Sequence, residues 1–380
     1  MTTPGGQPPR ILHCHSTFAA GGKELRSVRL MNAFGDAFDH TVVSAEPDET
    51  GAREYLDRRL RVSFAADFPS LTGFPSPGRL VAIAEAMKGY DLVLTYNWGA
   101  MDVVMAHTVF AAHFDLPPLI HHEDGFNEDE VARLKTRRNW YRRVALGRTR
   151  RLVVPSERLE QVAREAWKLP PARITRIPNG IDTARFAQKP KPGSFRVVKR
   201  EGERWVGTLA GLRPVKQLDM MVRAMAALDE DWHLVILGEG PQREAIRALA
   251  DELDMSHRIH LPGAHPQPHA IIGLFDIFAL SSRSEQFPLS LVEAMAAGLP
   301  VAAPDVGDIR RMVAAPNRPF ICVPDDAEAL GQMLCDLAAE PDLRREIGAA
   351  NRERARTEYD EAAMIARYRA LYDEALAARS

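Results

Sequence analysis

The sequence predicts an α/β protein built from two Rossmann-like domains, each a parallel sheet covered by helices on both faces. Three observations carry this prediction. Short, β-rich apolar runs alternate with helical patterns along almost the whole chain, which is the order parallel sheets require. The length, 380 residues, fits two domains at roughly 100–200 residues each. Residues 187–195, AQKPKPGSF, break the alternation with two prolines, a glycine and two lysines and no apolar periodicity. Such a segment suits an exposed linker.

Taken in order, strands are expected at 11–15, 40–44, 92–96, 118–122 and 152–155 before the linker. A second set is expected at 205–209, 233–237, 258–261, 277–280 and 300–303. Helices fall between them, among others at 23–34, 217–227, 241–253 and 289–297. The chain is therefore divided into a first domain at 1–190, a second at 191–358 and a C-terminal helix at 359–380. In that helix Ile365, Tyr368, Leu371 and Tyr372 recur at helical spacing. An apolar stripe of this kind needs a surface to cover, and the first domain is the expected one.

Composition narrows the function. Hydrophobic residues make up 46% and charged residues 26%, ordinary for a soluble globular protein, which excludes disorder, collagen and coiled coil. Lys+Arg 49 against Asp+Glu 51 leaves a formal charge of −2, so no nucleic-acid partner is expected and any attraction to phosphate or membrane is local. Three scattered cysteines, Cys14, Cys322 and Cys335, are too few for a disulfide framework or a zinc cage and fit a reducing compartment. The start, MTTPGGQPPR followed by ILHCH, lacks the apolar core of a secretory signal. No run reaches the roughly 18 apolar residues that would span a bilayer. A soluble, cytoplasmic protein with at most peripheral attachment is expected.

Ligands of open parallel sheets sit beyond the carboxyl ends of the strands, so those loops are where chemistry is sought. Gly21-Gly22 follows the first strand and precedes a helix. Backbone N–H groups there can approach a phosphate at a helix N-terminus, and the pair serves equally well as a tight turn. No G-x-G-x-x-G is present, and a nicotinamide fingerprint is not supported. After 205–209 comes Gly211-Leu212-Arg213-Pro214-Val215-Lys216. Arg213 can fork two oxygens of a diphosphate and Lys216 adds a compact charge, although two such cations alone also describe a solvated basic turn. Gly238-Glu239-Gly240-Pro241 reads as a sharp strand–helix turn.

The most informative segment runs from Ser281 to Val301. Glu285 lies in a strand-end loop and Glu293, eight residues on, in a helix otherwise apolar from 289 to 297. A carboxylate accepts two hydrogen bonds from vicinal hydroxyls of a ribose or hexose. Asp229-Glu230-Asp231 has the letters of a metal-binding D-x-D, but it precedes the 233–237 strand, at the wrong end of the sheet. No metal site is assigned.

With these residues in place, the sequence resembles the family 4 retaining glycosyltransferases, the group 1 glycosyltransferases of GT-B fold, in which two facing Rossmann-like domains enclose an interdomain cleft. The resemblance runs through Gly21-Gly22-Lys23-Glu24, Pro178-Asn179-Gly180-Ile181-Asp182, the loop ending at Lys216, Gly238-Glu239-Gly240-Pro241 and the spacing from Glu285 to Glu293 with the Ala-Met-Ala-Ala-Gly-Leu-Pro-Val that follows. It implies that Arg213 and Lys216 hold a donor diphosphate, that Glu293 holds the nucleotide ribose, and that Glu285, Gln286 and Phe287 lie near the donor sugar. Gly22 would contact phosphate or sugar from the opposite domain. Gln286 and Pro288 stand where the family usually has two glycines around Phe287.

Many relatives place a histidine at the end of the fifth strand, near the reacting carbon. Here the segment reads His121-His122-Glu123-Asp124-Gly125-Phe126, and two registers are open. One puts His121 at that position, the other Asp124, with His122 and Glu123 behind. The activity implied is transfer of a sugar from a nucleotide diphosphate sugar to an acceptor hydroxyl with retention, without metal or other cofactor, in envelope or exopolysaccharide synthesis. A GT-B epimerase and a silent sugar-nucleotide-binding module are the alternatives. Finally, residues 133–151 hold nine basic residues, no acidic one, and the aromatics Trp140 and Tyr141. Such a stretch fits contact with an anionic membrane carrying a lipid-linked acceptor; acidic residues just upstream, Glu123 to Glu130, also fit a solvated helix face.

Overall fold

The computed structural model describes residues 6–126, 130, 134–190 and 197–378. The chain forms two compact units, Met1–Pro178 with Met364–Ser380, and Asn179–Ala363.

The first unit is a seven-stranded sheet in the order β3-β2-β1-β4-β5-β6-β7, parallel throughout. Its elements are β1 (Arg10–His15), α1 (Gly22–Phe34), β2 (Asp39–Ser44), β3 (Val62–Phe64), α2 (Pro77–Met87), β4 (Leu92–Tyr96), α3 (Met101–Phe114), β5 (Leu119–His122), α4 (Thr136–Ala145), β6 (Arg151–Val154), α5 (Glu157–Glu165) and β7 (Ile174–Arg176). Strand alternation sorts the core into two layers. Leu12, Val93, Leu119 and Leu152 pack with Val103, Val104, Ala145 and Leu159 from α3 to α5. Ile11, Leu94, Ile120 and Val153 face the other way, toward Leu30 and Phe34 of α1.

The second unit is a six-stranded sheet in the order β10-β9-β8-β11-β12-β13. It contains α6 (Thr183–Phe186), β8 (Arg204–Leu209), α7 (Leu218–Ala224), β9 (Trp232–Leu237), α8 (Arg243–Glu252), β10 (Ile259–Gly263), β11 (Ile277–Ala279), α9 (Leu289–Ala297), β12 (Val301–Pro304), α10 (Ile309–Met312), β13 (Ile321–Cys322), α11 (Ala327–Ala339) and α12 (Pro341–Glu358). A last helix, α13 (Glu361–Ala377), follows. Its Met364, Tyr368, Leu371, Tyr372 and Leu376 complete the α1 layer of the first unit, with Tyr372 edge-on to Phe34 at 5.7 Å.

The unit boundary falls after Pro178 rather than at 190. Residues 179–190 read as polar and proline-rich, yet Ile181 and Phe186 are buried in the core of the second unit. Ile181 pairs with the chain's return: its N–H donates to the Tyr359 carbonyl at 3.0 Å and its carbonyl accepts from Glu361 at 2.9 Å. Of the linker assigned to 187–195, residues 191–195 lie outside the described residues. Three strands were not expected from the sequence: β3, β7 and β13 are two or three residues long, too short for a periodic signal.

Candidate active site

In the second unit the site is built on loops held together by backbone. After β8, Ala210 N–H donates to the Leu237 carbonyl at 3.0 Å and Leu212 N–H to the Glu239 carbonyl at 2.9 Å, while Gln242 N–H returns to the Leu212 carbonyl at 3.0 Å. The approach is close: a Cβ on Gly238 would lie 1.9 Å from the Ala210 carbonyl oxygen, and one on Gly240 2.6 Å from that of Leu212. Those glycines underlie the β8 loop, which then tightens into a 3₁₀ turn at Pro214–Lys216 before α7.

The loop after β11 is stitched to the same turn. Ser281 Oγ donates to the Lys216 carbonyl at 2.8 Å, and Arg283 N–H to the Val215 carbonyl at 2.9 Å. Across this seam the Lys216 ammonium forms an ion pair with Glu285 Oε1, which also accepts from Ser282 Oγ at 2.7 Å. The two predicted residues therefore meet. Both are largely buried, with side chains 17% and 10% exposed. Arg213, by contrast, is exposed and makes no ion pair among the described residues. Gln286 Oε1 is buried without a hydrogen-bond partner, and Phe287 packs edge-on against Tyr359 at 5.5 Å. Glu293 lies half-buried in α9 between the buried Val292 and Ala294.

Gly307 braces the loop from below. Its φ is +59°, and a Cβ there would lie 2.1 Å from the Glu285 carbonyl oxygen. Gly307→Ala is expected to destabilise the protein by roughly 1–3 kcal/mol, read as a lowered denaturant midpoint.

In the first unit, α1 begins at Gly22 behind an N-cap at Gly21. The two glycines differ. A Cβ on Gly21 would lie 2.7 Å from Glu24 Oε2, whereas one on the exposed Gly22 would meet nothing within 4 Å. Packing inside the unit does not demand a glycine at 22.

The β5 end resolves into four different environments. His121 is fully buried, its Nδ1 2.8 Å from Thr95 Oγ1. His122, on the opposite face, stacks on Tyr96 at 4.6 Å, and burial pushes its pKa well below the usual histidine value. Glu123 accepts from Arg142 Nε at 3.2 Å with both side chains fully buried. Asp124 keeps 14% exposure and is gripped by the Arg26 guanidinium, Nη2 to Oδ2 at 2.8 Å with Nη1 on Oδ1. Burial opposes the charge on Arg26, but the Asp124 carboxylate outweighs it and raises the pKa above the ordinary arginine value. Asp124 N–H donates to Asn97 Oδ1 at 2.8 Å, and Asn97 itself sits at φ +54° just past β4.

Sequence reasoning passed over Arg26, Asn97, Ser281, Ser282 and Gly307. A charged residue on a helix packed against the sheet, four positions after Gly22, was the one available signal for Arg26. Asp229-Glu230-Asp231 precedes β9 as expected, with Asp231 paired to Arg204 at 3.3 Å and Glu230 to His257 at 2.7 Å. Among the described residues, no group of three or more His, Cys, Asp or Glu could hold a metal ion.

Comparison with known families settles the class. The description Glycosyltransferase Family 4 matches residues 20–185, and Glycosyl transferases group 1 matches residues 193–354. The chain belongs to the group 1, family 4 glycosyltransferases. Within this family it is 25% identical over 337 residues to a GDP-mannose-dependent alpha-(1-6)-phosphatidylinositol monomannoside mannosyltransferase from Mycolicibacterium smegmatis, covering 82% of this chain and 85% of that one. It is 25% identical over 178 residues to an N-acetyl-alpha-D-glucosaminyl L-malate synthase from Bacillus anthracis, where the match spans 46% of this chain and 47% of the relative. With a D-inositol 3-phosphate glycosyltransferase from Nocardia farcinica it shares 33% identity over 186 residues, 43% of this chain and 40% of that one. The chain thus spans less than half the length of two of these three relatives. Among solved structures, Anabaena HepE in complex with UDP superposes with a TM-score of 0.78 at 17% identity, covering 96% of this chain and all of that one. Sucrose-phosphate synthase from Thermosynechococcus elongatus gives 0.77 at 22%, covering 97% and 100%. The fold of the chain is GT-B.

Proposed function

We propose that this protein transfers a sugar from a nucleoside diphosphate donor to an acceptor hydroxyl on a glycan or lipid-linked glycan, with retention and without a metal, in cytoplasmic synthesis of envelope or exopolysaccharide glycans. The observation that carries the reading is the seam at the ends of β8 and β11, where Lys216 and Glu285 are paired and Arg213, in the same loop, is exposed and in no ion pair among the described residues. A diphosphate arriving there meets the cations Arg213 and Lys216, and Glu285 is left to accept from sugar hydroxyls. As the C1–O bond to the diphosphate breaks, negative charge gathers on the leaving phosphate and positive charge on the sugar. Arg213 and Lys216 oppose the first. The acceptor oxygen bonds to C1 on the same face, and its proton passes to the departing phosphate. In the first unit, Asp124, held by Arg26, and the buried His121 are the residues assigned to catalysis. Glu293 takes the ribose, and Gln286 and Phe287 border the donor sugar. Gly22 supports the reading too, since the empty space at its Cβ leaves room for a phosphate or sugar to approach backbone. HepE has been solved with UDP and with UDP-glucose, which makes uridine nucleotides the first donors to test.

The experiment is calorimetry with UDP and GDP, followed by product analysis with and without EDTA. Binding, EDTA-resistant transfer and an anomeric centre matching the donor are expected. An inverted product or loss of activity in EDTA would overturn the mechanism.

Peripheral membrane contact is part of this proposal. Among the described residues no helix is long and apolar enough to cross a membrane. Of the nine basic residues at 133–151, Arg133 lies outside the described residues. Arg138 and Arg142 are taken by Glu130, and Arg150 and Arg151 by Glu374. The outward face of α4 still presents Trp140, 60% exposed, and Val144, 52% exposed, with Arg143 stacked over the indole at 5.2 Å. Flotation with phosphatidylglycerol vesicles at low salt is expected, lost in Trp140→Ser/Arg143→Ser. Wild-type protein that stays at the bottom of the gradient would remove this contact.

A further inference from the structure

One member of the basic stretch at 133–151 turns inward. Arg142 of α4 is fully buried, its guanidinium 4.9 Å from the Trp98 ring centroid, 5.4 Å from that of Phe126 and 5.3 Å from that of Trp167. Two buried carboxylates share it. Nε donates to Glu123 Oε2 at 3.2 Å, while Nη1 and Nη2 donate to the two oxygens of Glu130 at 3.3 Å each. Arg138 brings Glu130 a second cation at 2.9 Å, so two acids face two bases. Charges are retained in an interior only when they are paired in this way.

The contacts of Arg142 converge on the surroundings of Asp124 without including Asp124 itself. Glu123 directly precedes Asp124, and Phe126 follows it by two residues. The Asp124 N–H is held by Asn97 Oδ1 at 2.8 Å, and the Asn97 N–H donates to the His122 carbonyl at 2.8 Å. Trp98, next in the chain, lays its ring against Arg142. Gly99 fixes the same loop to the end of β1, since a Cβ there would lie 2.2 Å from that of Ser16. The segments on both sides of Asp124, and the loop that holds its N–H, thus end on one guanidinium.

We infer that Arg142 is a positioning residue, which sets the place of the Asp124 carboxylate opposite Arg26 and through it the rate of sugar transfer. This rests on the catalytic role proposed for Asp124. The planar fork of arginine serves two carboxylates at once; lysine keeps the charge at a single point, and methionine keeps bulk alone. A misplacement of about 1 Å caused away from the reacting atoms costs up to roughly 100-fold in rate.

The test is a double-mutant cycle. The kcat for turnover of UDP-glucose is measured for Arg142→Lys and Arg142→Met, each alone and each combined with Asp124→Asn. Alone, the lysine variant is expected to lose roughly tenfold and the methionine variant up to about 100-fold, with UDP affinity by calorimetry unchanged. In the Asp124→Asn background the same substitutions are expected to cost less than about threefold, because the group they position is already gone. The same fold-loss in both backgrounds, or full turnover in either single variant, would overturn the inference; where the methionine variant does not fold, Arg142→Lys decides by the same criteria. The reading of Asp124 fails separately, through full turnover in Asp124→Asn alone or absence of turnover in the wild-type protein. Melting temperatures then decide the positioning. Asp124→Asn is expected to lower that of Arg142→Lys by less than it lowers that of wild type, because the pair with Arg26 is already loosened, and equal lowering in both would overturn it.

Discussion

Lys216→Ala is expected to lower kcat/KM by roughly 10²–10³-fold and to weaken binding of the nucleoside diphosphate. The ammonium is held from both sides of the seam. Its backbone carbonyl is anchored by Ser281 Oγ and its N–H by the Arg213 carbonyl at 2.9 Å, so the side chain starts from a fixed point. The ammonium is neutralised by Glu285; in the proposed reaction it exchanges that carboxylate for phosphate oxygens whose charge grows as the bond breaks. Alanine removes this stabilisation and leaves Glu285, 10% exposed, without its counter-charge and near the incoming anion. Steady-state kinetics with UDP calorimetry checks both effects. Unchanged turnover and unchanged affinity would show that the diphosphate lies elsewhere.

Asp124→Asn is expected to damage stability and turnover together. The substitution keeps shape but removes the charge opposite Arg26, a guanidinium whose side chain is 6% exposed. Stranding one member of a buried pair costs about 3 kcal/mol, which for a unit of this size lowers the melting temperature by roughly 6–12 °C. The loss of turnover is separable. Arg26→Met/Asp124→Asn removes both charges, and stability is expected to recover toward wild type while activity stays low if Asp124 has the catalytic role proposed for it. Differential scanning calorimetry and kinetics on the three proteins test this. Full activity in the double variant would mean that Asp124 serves packing alone.

Much of this molecule was readable before the structure. Ten strands gave themselves away as short β-rich segments alternating with helical patterns, most plainly β4, buried at every position. Glu285 and Lys216 were legible as types of residue at strand ends. That they pair with each other was not, since 69 residues separate them and only the adjacency of β8 and β11 brings them together. The same holds for Arg26 and Asp124, 98 residues apart. The ambiguity at His121 to Asp124 has a plain origin: a strand covered on both sides buries both alternating faces, so polarity alone cannot say which residue faces solvent. The boundary near 190 was misplaced because proline and lysine mark exposure of the residues around them, not the destination of the two apolar residues, Ile181 and Phe186, that are buried in the second unit.

The crossing of α13 to the first unit sets an order of synthesis. Residues 179–363 emerge from the ribosome in one uninterrupted piece, and that half can close its core as soon as they are clear. The earlier half cannot, although it is made first: the layer around Leu30 and Phe34 waits for Tyr368, Leu371 and Tyr372. During translation an apolar flank stays open on the nascent chain, so the unit that precedes residue 179 is the last to mature.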